Sequence, residues 1–187
     1  FKPSELANNI YINGNFENPT YFQDYKNDLI KIFKPKKEKV NQQNPLINQL
    51  QNSNSVSIHI RRNRFSDQAG LTDNKLFAVE SKKFTDESIN YINKAIKYFN
   101  NKIDNPKYFI WSNDHHDINK FTRNLIISDF HLVQNNDVIN DFYLFSFSKH
   151  FIVSPSSFHW WGAWLNSNDN KICLYPSNLN PSNNFDF

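Results

Sequence analysis

Glycine is scarce: Gly14, Gly70 and Gly162 are the three in 187 residues, too widely spaced for either the Walker or the dinucleotide phosphate-binding fingerprint. Cysteine occurs once, at Cys173, which excludes an intrachain disulfide framework. Within Ile172-Cys173-Leu174-Tyr175 it reads as a small buried hydrophobe rather than a nucleophile, and a reducing, cytoplasmic setting is expected. No stretch reaches the ~18 apolar residues of a membrane span; the nearest, Phe142 to Val153, is broken by Ser146, Ser148, Lys149 and His150. There is no Asp-x-Asp pair to hold a divalent metal on a diphosphate, so no metal is expected. Methionine is absent and the chain opens on Phe1, the expectation being a fragment or a processed product. Charge of either sign is also modest. Twenty-one basic and 18 acidic residues leave +3, which does not mark a nucleic-acid binder. The densest basic run, Lys34-Pro35-Lys36-Lys37-Glu38-Lys39, is interrupted by Pro35 and Glu38 and reads as a solvated loop after a helix.

What is abundant is aromatic: 16% of the chain, with phenylalanine far ahead of tryptophan, in a length that supports one proper core. Asn9 to Ile12 reads as a short strand entering an Asn13-Gly14 turn. Tyr21, Tyr25, Leu29, Ile32 and Phe33 recur at helical spacing until Pro35, and a polar link runs from Val40 to Asn54. From Ser55 the pattern becomes regular. Strands are predicted at Val56–Ile60, Tyr108–Trp111, Phe130–Val133, Phe151–Val153 and Lys171–Tyr175. Between them, helices are predicted from a Thr85 cap through the stripe Ile89, Ile92, Ile96 and Phe99, over about His115–Leu125, over Val138–Lys149 and over Phe158–Leu165. Alternating apolar strands and helices give an α/β fold, a Rossmann-like parallel sheet with helices on both faces. Ligands of such sheets sit outside the carboxyl ends of the strands.

Three polar segments fall at those ends. In His59-Ile60-Arg61-Arg62, strand alternation puts His59 and Arg61 on one side and Arg62 on the other. Guanidinium forks suit a diphosphate, although paired arginines are also common surface residues. In Trp111-Ser112-Asn113-Asp114-His115-His116, a carboxylate could accept two donors from a guanine edge, while capping of the next helix explains the same residues more plainly. The adjacent His115 and His116 point apart, make a poor metal pair and read as exposed. In Ser154-Pro155-Ser156-Ser157 followed by Phe158 to Trp164, small hydroxyls ahead of a helix bring amides to bear on an anion, or simply cap it. Trp160, Trp161 and Trp164 read mainly as packing.

Taken together, His59-Ile60-Arg61-Arg62, Ile110-Trp111-Ser112-Asn113-Asp114 and the long stretch Lys149 to Asn166 resemble the bacterial alpha-1,2-fucosyltransferases. Asn13-Gly14-Asn15-Phe16 with Tyr21-Phe22 is similar to that family's segment before the donor domain. The resemblance implies a two-lobed GT-B enzyme, with residues 1–54 a remnant of the acceptor lobe and linker and 55–187 a Rossmann-like GDP-sugar-binding domain. It implies inverting transfer of fucose from GDP-fucose to a galactoside hydroxyl of an oligosaccharide or glycolipid, without a metal, in the cytoplasm or peripherally at the inner face of the membrane. By position, Arg61 would neutralise the leaving diphosphate, with Arg62 beside it and His59 near the nucleotide. Asp114 would read guanine, Ser156 and Ser157 would meet the phosphates, and Ser112 and Phe158 would also bind the substrate. The general base is unassigned. Two departures stand out: Asn63-Arg64 replaces the usual Gly-Asp, and Asn113-Asp114 keeps one acid where two are frequent. The first, with the missing acceptor-lobe segment, favours the alternative of a non-catalytic nucleotide-sugar-binding module, and the second weighs against the base-reading role of its segment.

Overall fold

The computed structural model describes residues 19–62, 74–134 and 136–176. The expected Asn9–Ile12 strand, the Asn13-Gly14 turn and Asn63-Arg64 lie outside them.

Helices α1 (Lys26–Phe33) and α2 (Pro45–Asn52) precede β1 (Asn54–Ile60), and α3 (Asn74–Lys102) leads to β2 (Pro106–Ser112). The chain continues through α4 (Ile118–Thr122), β3 (Phe130–Leu132), α5 (Val138–Phe145), β4 (His150–Ile152), α6 (Ser157–Leu165) and β5 (Cys173–Leu174). The five strands form one sheet in the order β3-β2-β1-β4-β5, every pairing parallel. This is the doubly wound α/β architecture expected from the alternation of elements. After β1 the chain winds toward β2 and β3, then returns to lay β4 and β5 on the other side. The strand order therefore reverses between β1 and β4, where a crevice opens at the carboxyl ends.

Two cores result. On one face Val56, Ile58 and Ile60 of β1 meet Ile92, Ala95, Ile96 and Phe99 of α3 and Ile118 and Phe121 of α4. On the other, Phe109 and Trp111 of β2 and Phe151 of β4 pack with Leu144 and Phe145 of α5 and Trp160, Ala163 and Trp164 of α6. Strand β1 is the exception to continuous apolarity: on this second face it presents Ser55, Ser57 and His59, all fully buried.

Three local expectations are corrected. Thr85 caps nothing, because α3 runs straight through it and its hydroxyl donates back to the Ser81 carbonyl at 2.8 Å. The supposed polar link contains α2, opened by Asn44 accepting from the Leu46 amide with Pro45 at the first position. Leu46 and Leu50 bury themselves in the second core. Helix α5 is shorter than the expected 138–149 span, since the chain must turn at Ser146 to reach β4. The tryptophans of α6 do pack: Phe22 stacks on Trp161 at 4.9 Å and meets Trp164 edge-on, and Phe33 stacks on Trp161 from the end of α1.

Candidate functional site

Strand β1 outruns β4: its paired residues with β4 end at Ile58, while those with β2 continue to Ile60 opposite Ser112. The released end is stitched by side chains. Ser154, just past β4, donates to the His59 carbonyl and accepts from the Arg61 amide at 3.4 Å. Asn113, just past β2, clamps Arg62 from both sides, accepting its amide at 2.7 Å and donating to its carbonyl at 3.2 Å. These ties hold the mouth of the sheet in one shape.

The polar face of β1 explains what stands beneath. Ser55 donates to the Leu50 carbonyl and accepts from the Lys149 amide. Ser57 takes the Trp111 indole N–H at 2.8 Å and pairs with the Ser148 hydroxyl at 2.5 Å. His59, the next rung on the same face, has no hydrogen-bond partner on either ring nitrogen although it is fully buried. Buried polar atoms left in this state cost stability. Its ring instead stacks on His159, 15° from parallel. Burial, reinforced by the Arg61 charge, drives the His59 pKa well below the usual imidazole range. His159 is lowered in the same way, by burial first and then by His59 and Arg61. Both rings are therefore neutral at pH 7.

Above this stack lies a cleft of about 300 Å³ at the carboxyl ends of β1, β2 and β4. His59, Arg61 and Ser112 form the strand side, Ser156, Phe158 and His159 the start of α6, and Asn136, Val138 and Asp141 the start of α5. Ser156 occupies the N-cap of α6 without capping it; its hydroxyl lies 3.4 Å from His159 Nδ1. The first-turn amides of α6 thus lack the side-chain acceptor that usually serves them.

Of the residues singled out in the sequence, His59, Arg61, Ser112, Ser156 and Phe158 meet in this one cleft. Arg62 points through the other face. Its guanidinium donates to the His116 carbonyl and lines a separate recess with Asp86 and Asp117. Ser157 is exposed and does not line the cleft. Asp114 does not line it either: Asp114 Oδ1 accepts the His116 amide at 2.8 Å, and its backbone pairs with the Ser112 hydroxyl. Neither Ser112, Asn113 nor Asp114 caps α4, whose N-cap is Asp117 in the left-handed region at φ 55°. His115, expected to be exposed, is half-buried in the cleft wall, with its Nδ1 buried and unpartnered. Sequence reasoning missed Asn136, Asp141 and His159. The i, i+3 relation of Ser156 to His159 was available as a signal for the last.

A larger hollow of about 840 Å³ lies at the opposite end of the sheet, lined by Phe33, Phe142, Lys149 and Asn168. Its buried polar side chains, Ser148, His150 and Asn166, are already hydrogen-bonded within the protein, and the smaller carboxyl-end cleft, with its unpartnered His59, is the better site. Among the described residues no group of three or more His, Cys, Asp or Glu is placed to hold a metal. No described helix is long and apolar enough to cross a membrane. Burial pushes the Cys173 thiol up to about 12, which fits an inert side chain.

Fold and cleft together define a Rossmann-like α/β domain with a crevice at the switch point of its sheet. The chain belongs to glycosyl transferase family 11, whose model matches residues 2–186. It is similar to an alpha-1,2-colitosyltransferase of Escherichia coli, with 30% identity over 168 residues that make up 88% of this chain and 54% of that protein. The chain thus spans about half the length of this curated relative. No solved structure matches it significantly.

Proposed function

We propose that the carboxyl-end cleft is the donor site of an inverting transferase that moves a deoxysugar from a GDP-linked donor to a galactoside hydroxyl, forming an alpha-1,2 linkage. The observation that carries this reading is the convergence of Arg61, the uncapped start of α6 at Ser156, and an unpartnered, fully buried His59 on one crevice. A pyrophosphate there would meet a fixed cation and helix amides, the neutralisation that a metal supplies in other transferases. Attack by the acceptor oxygen on the anomeric carbon breaks the bond to the diphosphate in one displacement. Negative charge then grows on the leaving group, and Arg61 would stabilise it; loss of one such contact typically lowers the rate ~100- to 1000-fold. His59, neutral in the free protein, would gain a hydrogen-bond partner from the nucleotide. The acceptor subsite and the base that takes the acceptor proton are not assigned to residues.

Fucose is the preferred sugar on the resemblance of the motifs. Colitose, named in the similar E. coli enzyme, is the 3-deoxy counterpart of fucose and is the competing choice. Assay of the complete protein with GDP-fucose and GDP-colitose on a galactoside, with the product linkage read by NMR, decides it. Faster transfer of fucose to the 2-hydroxyl supports the proposal, and faster transfer of colitose redirects the donor assignment. GDP binding without turnover of either supports instead the non-catalytic module that the Asn63-Arg64 departure favours.

A further inference from the structure

We infer that Asp141, and not an acid at the end of β2, is the residue that selects guanine in the donor cleft. The inference rests on the donor-site reading above and names the base-specific half of that site.

Asp141 lies in the first turn of α5 and is the one carboxylate among the residues that line the cleft. Its Oδ1 accepts from Asn136 Nδ2 at 3.1 Å, and its Oδ2 accepts no hydrogen bond from the described residues. An acceptor oxygen is therefore left for a ligand, while Asn136 holds the carboxylate in orientation. Asp114 is differently placed: its Oδ1 is engaged by the His116 amide, and it stands outside the cleft walls. The cleft walls carry groups of two kinds: Arg61 and Ser156 suit an anion, whereas the Asp141 carboxylate would repel a phosphate. Val138 and Phe158 add apolar surface to the same walls, with Phe158 held edge-on against Phe142 at 5.2 Å, a setting for a flat ring.

The choice of base follows from the donor and acceptor pattern. Guanine presents two adjacent donors, N1–H and the 2-amino group, which match the two oxygens of one carboxylate. Adenine and cytosine oppose a carboxylate with a ring-nitrogen acceptor beside their single amino group. Uracil flanks its N–H with two carbonyls. Burial holds the Asp141 pKa above the usual carboxylate range, with the neighbouring Asp137 charge adding to it and Asn136 and His115 opposing. The half-buried carboxylate is thus under-solvated, and two N–H donors would supply what water supplies to an exposed acid.

Calorimetric titration of the complete protein with GDP, IDP, ADP, UDP and inorganic pyrophosphate tests this. IDP lacks only the 2-amino group, so GDP should bind ~10- to 100-fold tighter than IDP, the range for one hydrogen bond to a charged acceptor. In Asp141→Asn the GDP preference over IDP should collapse to within a few-fold while pyrophosphate affinity is unchanged. Should that variant also lose pyrophosphate, Asp141→Glu keeps the charge, displaces the carboxylate by one methylene, and should reduce the GDP-to-IDP ratio. Equal binding of GDP and IDP by the unaltered protein overturns the assignment. So does a ratio that survives in both Asp141 variants, or one that Asp114→Asn abolishes while Asp141→Asn retains it. Binding of neither GDP nor pyrophosphate sinks the donor-site reading as a whole; binding of all diphosphates without preference sinks the Asp141 assignment alone.

Discussion

Two neighbouring arginines leave the same strand end for opposite faces, and only Arg61 enters the cleft. Arg61→Ala should weaken GDP binding roughly 10- to 100-fold, the loss expected for a charge-assisted hydrogen bond. Arg61→Lys should recover little, because an ammonium cannot reproduce the planar fork. Arg62→Ala should change the affinity by less than about fivefold, as for a solvent-facing charge; calorimetry on the three variants reads the contrast. The stacked histidines make a second prediction. In the folded chain the His59 and His159 pKa values lie well below 6.5, whereas unfolding restores ordinary imidazoles. The unfolded state therefore binds more protons as pH falls below about 6.5, and stability falls with it by up to about 1.4 kcal/mol per pH unit for each ring. His150, lowered by burial and by Lys149, adds in the same direction. Above that pH all three are neutral in both states and their contribution is flat. Denaturant midpoints of the ligand-free protein from pH 7.5 to 5.5 should fall on the acid side; a level profile contradicts the buried neutral stack. The partition of His59 and Arg61 from Arg62 was legible from strand alternation alone. Asp141 was not, because it reaches the cleft only through the placement of α5, which no short motif encodes.

The fit between α5 and α6 is set by Gly162. A Cβ there would stand 2.8 Å from Phe145 Cδ1, and that ring is hemmed in by Trp111, Phe151 and His159. Gly162→Ala should gain up to about 1 kcal/mol of helix propensity and lose about 1–3 kcal/mol to overpacking, a net destabilisation seen as a lower denaturation midpoint. Because Phe145 borders His159, the same variant should also weaken GDP binding. Helix α2 supplies the matching test on the amino-terminal side: Leu50 is fully buried, and Leu50→Ala should cost about 2–5 kcal/mol. The central strands were readable because apolar runs bounded by turns leave few alternatives. Helix α2 was overlooked because its apolar residues Leu46, Ile47 and Leu50 are diluted among Asn and Gln, even though Asn44-Pro45 is a sound start signal. Thr85 was misread because a hydroxyl bonded four residues back inside a helix and one capping a helix look alike in sequence.

Over the whole molecule, the parallel pairing follows from the alternation of elements, while the strand order seen in the fold puts the crevice between β1 and β4. What could not be foreseen is how the crevice is furnished: the serine rungs of β1 that leave His59 as the unpartnered one, and the acid brought in by α5. On the proposed donor site Arg61 and the helix amides neutralise the diphosphate without a metal, so GDP affinity should be the same with and without EDTA. A more than tenfold loss on chelation contradicts that reading. The most direct measurement is a crystal structure of the protein with GDP bound. The diphosphate should lie within hydrogen-bonding reach of the Arg61 guanidinium and the first amides of α6, beside Ser156. GDP seated instead in the larger hollow beside Phe33, Lys149 and Asn168 would contradict the account.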